Sequence, residues 1–490
     1  MRKSFPAVPL VLACGLTAAL TLAAPAPASG QERFRRTPPL PDPFRELKLP
    51  AIETATLSNG LTVAATRRPG FPVVTVQLVI LAGEADSPAD LPFVATLTAR
   101  MIGRRTRESS AEETAAMIDA VGGDFSVSVS MDYTVLTFHV PAEFMDRALE
   151  LLRLMILQPE FSDLEAATAK RILSYELRDL EKSPEFAGRR QLLRLLFGGH
   201  PYGSAAVSWD VIRRITPRDI ETFYGLFFRP NNAVLLVSGD AVPSASDQRL
   251  TLPFAPWTRR DVVRAPLVPP PANAAQKICL VDHPAAEDFV IFAGNLAPAP
   301  TSADYYPFLV LNQVLGGTMG SRLFMNLRES KGYAYEAFSE AEFFKSCGVF
   351  WAKARVTPQT IGASVEEIER EFRNLAAERI VPDELEVSKS FLIGNLPLKV
   401  KSLEGYAARL SQAVALGLTE SDWGKASDSL MLVNADRVLE TARRYLTPVP
   451  LVVIVGDRRR ALPALGAFEA VDIYDSTGAF LMTLRKGEVK

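Results

Sequence analysis

"ITPRDIETFYGLFFRPNNAVLLVSGD" (215–240) and "VNADRVLETARRYLTPVPLVVIVGD" (433–457) follow one plan. Each reads as a polar helix, a proline turn, an apolar strand and a Gly-Asp stop. The same order recurs upstream of both. "YTVLTFHVPAEFMDRALELLRLMI" (133–156) is a strand, then Pro141, then an amphipathic helix, and "GVFWAKARVTPQTIGASVEEIEREF" (348–372) is a strand, then Pro358, then a helix. The strands alternate with period two, and the helices place apolar residues three and four apart. The pattern predicts a tandem duplication of one α+β unit, with copies over 51–245 and 274–460. Between them, 246–273 is Pro-rich, lacks clear periodicity and reads as an extended linker. Halves joined in this way are free to close like a clamshell. Residues 29–50 form a similar Pro-rich lead-in, and 461–490 read as a C-terminal tail.

Composition sets the limits. A chain of 490 residues suggests two or more domains. With 48% hydrophobic and 22% charged residues, it has enough for a core and a soluble surface. The formal net charge is -2 and no basic block stands out, which argues against nucleic-acid binding. Arg2 and Lys3 precede the apolar stretch "FPAVPLVLACGLTAALTLAA", and Ala26 and Ala28 supply small residues for cleavage after Ala28. This is the layout of a signal peptide over 1–28. A lipoprotein site at Cys14 is the weaker reading, because the apolar run continues well past it. No later segment approaches the ~20 apolar residues of a membrane span. An exported, periplasmic protein is expected. Cys279 and Cys347 lie outside any C-x-x-C motif and read as buried small apolar residues, although an oxidising compartment would permit a bridge.

Several segments together carry a family resemblance. They are "LSNGLTVAATRRPGFPVVTVQLVILAGEADSP" (57–88), "SSAEETAAMIDAVGGDF" (109–125), "GGHPYG" (198–203), "RPNNAVLLVSGD" (229–240) and "LGGTMGSRLFMNLRESKGYAY" (315–335). In their order and spacing, over nearly all of the mature chain, they resemble the pitrilysin/insulinase zinc metallopeptidases, the inverzincins. That family includes the mitochondrial processing peptidase and the core subunits of the respiratory bc1 complex. The resemblance implies an α+β fold of two tandem domains of the LuxS/mitochondrial-processing-peptidase-like metallohydrolase type.

Active members carry H-x-x-E-H on a helix, two histidines for zinc and a glutamate as general base. Here that helix is "LPFVATLTARMIGRRTRESSAEE" (91–113), and the motif falls on Thr96 to Arg100. Thr96 and Arg100 stand in the histidine positions and Ala99 in that of the glutamate. Threonine is a poor zinc ligand, alanine is no base, and a guanidinium has no lone pair to give. One such charge ~4 Å from a dication, at an effective dielectric near 20, costs about 8 kcal/mol. Glu176, in "RILSYELRDLEKSP", aligns with the third ligand but is left without partners, and Ala169 replaces an acidic residue often found upstream of it. His139, His200 and His283 have no histidine neighbour at ligand spacing and read as structural. The resemblance therefore implies no metal, no cofactor and no catalytic residue in this chain.

The glycines of 316–320 do not form a phosphate loop. The resemblance instead marks an R-x-x-x-G-x-x-Y segment, which in active relatives supplies substrate-holding donors. It falls on Arg328 and Tyr335, with Gly332 between them. The residue types alone would allow a surface ion pair for Arg328 and a core position for Tyr335. Family members of this size are often paired, one subunit with H-x-x-E-H and one with the arginine and tyrosine. The expected role is a catalytically inactive subunit of a heterodimeric periplasmic zinc peptidase. It would close a chamber around peptides and lend Arg328 and Tyr335 to an H-x-x-E-H partner. The alternative is a structural or peptide-binding protein of the same fold, like the respiratory-complex core subunits, with no part in hydrolysis.

Overall fold

The computed structural model describes residues 49–203, 209–264, 267, 270, 277–419, 424–446 and 450–487; the signal segment 1–28 and nearly all of the lead-in 29–50 lie outside this set. Residues 46–490 form one compact unit. Its helices and strands are arranged around two sheets.

Among the described residues, the first sheet has six strands. They are β1 (Glu53–Thr56), β2 (Thr62–Arg67), β3 (Val73–Ile80), β4 (Asp124–Val129), β5 (Thr134–Pro141) and β6 (Ala233–Gly239), in the order β1-β2-β6-β3-β5-β4. The second sheet holds β7 (Ile278–Asp282), β8 (Phe289–Ala297), β9 (Ala334–Phe343), β10 (Gly348–Val356), β11 (Leu451–Gly456), β12 (Ala470–Tyr474) and β13 (Phe480–Arg485), in the order β13-β12-β7-β11-β8-β10-β9. The duplication is visible in the pairing. β6 runs parallel to β2 and antiparallel to β3, and β11 does the same with β7 and β8. These two strands are the apolar runs of the two matching stretches. Buried on both faces, they are continuous in hydrophobic character, whereas the outer strand β4, "DFSVSV", alternates.

The longer helices are α1 (Val94–Met101), α2 (Ala111–Asp119), α3 (Met145–Leu157), α4 (Asp163–Leu180), α5 (Pro184–Phe197) and α6 (Pro217–Phe227) in the first half. The second half has α7 (Tyr305–Gly316), α8 (Ile361–Ala377), α9 (Pro382–Lys399), α10 (Leu403–Ala415), α11 (Ala435–Tyr445) and α12 (Arg458–Leu465). The paired helices α6 and α11 start on matching caps. Thr216 Oγ1 accepts from Asp219 N at 3.3 Å, and Asn434 Oδ1 accepts from Arg437 N at 2.9 Å. Each cap satisfies a backbone donor that the helix cannot.

Each sheet packs its own half's helices on one face. The first core gathers residues such as Val76, Leu97, Leu152 and Phe223, and the second gathers Ile291, Phe308, Ile368 and Ile454. The opposite faces are covered by exchange. Leu192, Leu193, Leu196 and Phe197 of α5, from the first half, are buried against Val281, Val290, Phe292 and Val453 of the second sheet. Tyr406 and Leu410 of α10, from the second half, are buried with Ala64, Val79 and Val135 of the first. Gly188 lets α5 lie close to the sheet, since a Cβ there would stand 2.4 Å from Phe292 Cε2.

This corrects the clamshell expectation. Separating the halves would uncover four large side chains of α5 alone, at about 6–12 kcal/mol from apolar burial. The linker and tail also differ from expectation. Residues 248–254 form short helical turns, and Phe254 and Trp257 join the first core, where Asn59 Nδ2 donates to both of their carbonyls at 2.9 and 3.1 Å. Residues 461–487 contribute the end of α12 and then β12 and β13, which extend the second sheet.

A second tie joins the two hairpins that end the sheets. Asp132, in the β4–β5 turn, accepts from Tyr202 Oη at 2.6 Å and from the backbone of Lys345, in the β9–β10 turn, at 2.8 Å. Tyr202 is the tyrosine of "GGHPYG" and is fully buried. His200 of the same stretch accepts from Tyr202 N through Nδ1 at 3.1 Å, a structural role. His283 reaches Glu181 O at 3.2 Å, and His139 lies between Thr75 Oγ1 and Glu404 Oε1, each at 2.9 Å. Cys279 and Cys347 are buried and unbonded. Burial pushes both thiols up, to about 12 and about 11.

Candidate functional site: an erased metal helix and an exposed Arg-Tyr pair

The helix α1 is shorter than the sequence suggests. It stops at Met101, just before Gly103, whose φ of +87° ends the turn. Its start is held by Glu84. One carboxylate oxygen accepts from Thr96 N at 2.8 Å and from the Thr96 hydroxyl, and the other accepts from Phe93 N at 3.0 Å and Ser87 Oγ at 3.1 Å. A carboxylate at this end satisfies orphan donors and complements the helix dipole. Thr96, in the place of the first histidine, is thereby committed to Glu84. Ala99 is fully buried.

Arg100, in the place of the second histidine, reaches across to α4. It donates to Glu176 Oε1 through Nη1 at 3.0 Å and to Oε2 through Nη2 at 2.5 Å. This is the two-pronged guanidinium–carboxylate geometry. Hydrogen bonding from Arg100 holds the Glu176 carboxyl below the usual glutamate range. A second bridge follows, from Arg104 Nε to Glu165 Oε2 at 2.5 Å, and Ala169 between the two is packed in the core. Arg100 thus engages the aligned third ligand, which the sequence leaves alone. A hydroxyl spent on a carboxylate, an alanine and a guanidinium do not make a zinc site. Among the described residues, no group of three or more His, Cys, Asp or Glu is placed to hold a metal ion.

Arg328 and Tyr335 come together. The guanidinium carbon of Arg328 lies 4.9 Å from the centre of the Tyr335 ring, a cation–π contact. Tyr335 is 72% exposed and stands near the start of the outer strand β9, not in the core. Arg328 forms no ion pair with Glu329 or any other described residue. Both line an open cleft of about 660 Å³ with Asp288, Tyr333, Glu336 and Arg355. Neither Arg100 nor Glu176 borders that cleft. Arg328 sits on a π-helical turn, Phe324–Ser330, whose wider spacing is visible in the bond from Lys331 N to Asn326 O at 2.9 Å. Such turns recur at functional sites. Asn326 pins it by donating to Glu367 and Glu371 at 3.0 and 2.7 Å, and Gly332 (φ +63°) then turns the chain into β9.

Sequence reasoning missed Glu84 and the Asp132–Tyr202 tie. A glutamate shortly before a capless helix was a signal for the first. The second spans 70 residues and had none.

The fold and this helix define a metallopeptidase scaffold whose metal ligands have been replaced. Two family models match this scaffold: insulinase (peptidase family M16) matches residues 62–208, and the peptidase M16 inactive domain matches 214–392. The chain belongs to the M16, or insulinase, family. A Mycobacterium bovis protein named an uncharacterized zinc protease is 25% identical over 442 residues, 88% of this chain and 98% of that one. A Helicobacter pylori protein named non-peptidase homolog YmxG is 24% identical over 340 residues, 68% of this chain and 77% of that one. In fold, the chain is similar to the crystal structure of a protease from Helicobacter pylori, with a TM-score of 0.76 at 20% identity, covering 84% of this chain and 100% of that one. Names of both kinds, protease and non-peptidase, thus occur among its relatives. No helix among the described residues is long and apolar enough to cross a membrane.

Proposed function

We propose that this chain is the non-hydrolysing subunit of a heterodimeric, periplasmic zinc peptidase. The observation that carries the reading is the Arg100–Glu176 pair: the residue in a histidine position has become a cation that occupies the remaining ligand. The helix exchange adds support. The two halves of one chain are packed as one body, so a chamber that opens and closes calls for a second chain. That partner would bear H-x-x-E-H, and hydrolysis belongs to it. Arg328 and Tyr335 are exposed and share a cleft that excludes the erased site, so they are available to a partner's substrate. A guanidinium and a phenol suit carbonyl oxygens and the oxyanion that hydrolysis develops.

The test is to assay zinc and peptide hydrolysis in the mature chain alone and with a co-purifying H-x-x-E-H chain. Zinc and activity confined to the complex, with activity reduced by Arg328→Ala or Tyr335→Ala while assembly persists, support the reading. Stoichiometric zinc with activity in the lone chain overturns it. Full activity in both variant complexes would favour a purely structural role.

A further inference from the structure

A cavity of about 880 Å³, within the range of ligand pockets, lies between helices α7, α9 and α10, the outer strand β9 and the β4–β5 turn. The charges on its wall are unevenly matched. Its acidic groups are all engaged within the fold. Glu84 is taken by Thr96 and the start of α1, Glu342 by Arg189, and Asp132 by Tyr202 and Lys345 N. Its cations on α9 and α10 are not. Arg409 donates to the neutral Gln412 Oε1 at 3.1 Å. Lys399 has no carboxylate acting on it among the described residues; burial and then the like charge of Arg409 push its pKa down. The phenol of Tyr305, buried on the same wall, also feels the Arg409 charge. Nearby, Asn312 Oδ1 is buried with no hydrogen-bond partner among the described residues.

Two like charges held at one wall, with no counter-charge among the described residues, call for an anion. The rest of the wall includes Phe343, Phe391 and Leu416, which suit an apolar chain. We propose that this cavity recognises a carboxylate on a peptide: Lys399 and Arg409 hold the anion, and Asn312 accepts from an amide of the residues beside it. The proposal rests on the reading that the chain takes peptides. The carboxylate has two sources, a free C-terminus or an acidic side chain.

The experiment is fluorescence anisotropy of the full mature chain with three N-terminally dye-labelled peptides of one apolar sequence. One has a free C-terminal carboxylate, one a C-terminal amide, and one the amide with an internal Asp. The free acid is expected to bind at least about tenfold more tightly than the plain amide, as for a charge-assisted hydrogen bond. The preference is expected to collapse in K399Q/R409Q and survive in R409K, which keeps the charge. Tight binding of the Asp peptide alone supports the pocket and assigns the anion to a side chain. Equal binding of all three peptides, or an acid preference that persists in K399Q/R409Q, overturns the pocket while leaving the peptide reading standing. No binding of any peptide overturns both.

Discussion

Arg100 on α1 and Glu176 on α4 face each other through both terminal guanidinium nitrogens and both carboxylate oxygens, at 3.0 and 2.5 Å. The pair bridges the two helices that carry the aligned ligand positions 96, 100 and 176, and its geometry leads to two predictions.

Histidines at 96 and 100 would lie four residues apart on one helix face, with Glu176 already within reach of position 100. T96H/R100H is expected to take up about one zinc per chain, read by elemental analysis after dialysis. It is expected to hydrolyse no peptide, because Ala99 supplies no base. Failure to bind zinc would show that Glu176 does not stand in the ligand position.

A carboxyl whose folded pKa is depressed stabilises the fold above the ordinary glutamate value of 4.5 and loses that contribution as pH falls through the folded value. Glu176 should therefore titrate below 4.5 by NMR, and R100M should return it towards the ordinary value. Glu176 is about half exposed, so the loss of stability in acid should be about 1 kcal/mol or less. A midpoint unchanged by R100M would remove the pair as the cause.

Tyr202→Phe removes the hydroxyl from Asp132 and from Ser346, whose backbone and side chain donate to it at 3.4 and 3.3 Å. Asp132 then keeps one partner in a buried place. The expected cost is about 1–3 kcal/mol in denaturant unfolding. Burial already pushes Asp132 upward, so the variant should raise its pKa further. A neutral substitution would mean that the hairpin tie contributes nothing.

The exchanged helix offers the largest single effect. Leu192→Ala empties a fully buried position between α5 and the second sheet and should cost about 2–5 kcal/mol. Both halves should melt together in that variant, followed by hydrogen exchange in β3 and β11. Separate transitions for the two sheets would contradict a single packed body.

The duplication was legible because its signals are local. Thr216 and Asn434 cap matching helices, and β6 and β11 are unbroken apolar runs between turn residues. The substituted motif was legible for the same reason, since Thr96, Ala99 and Arg100 fall within five consecutive positions. What escaped was non-local. The apolar stripe of α5 shows that it packs on something, but it does not say which sheet. β12 and β13 are short, and "AVDIY" and "FLMTLR" carry too little periodicity to separate from a tail. Arg100 and Glu176 are 76 residues apart, so their pairing followed only once α1 and α4 were side by side.

The exchange of α5 and α10 also governs how the chain acquires its structure. Phe197, the last residue of α5, is made 254 residues before Leu451, the first of β11, which α5 helps to cover (451 − 197 = 254). Until β11 is in place α5 has no complete docking face, and the outer face of the first sheet waits for α10. Neither half can complete its core alone, so the two sheets are expected to consolidate together, late in folding.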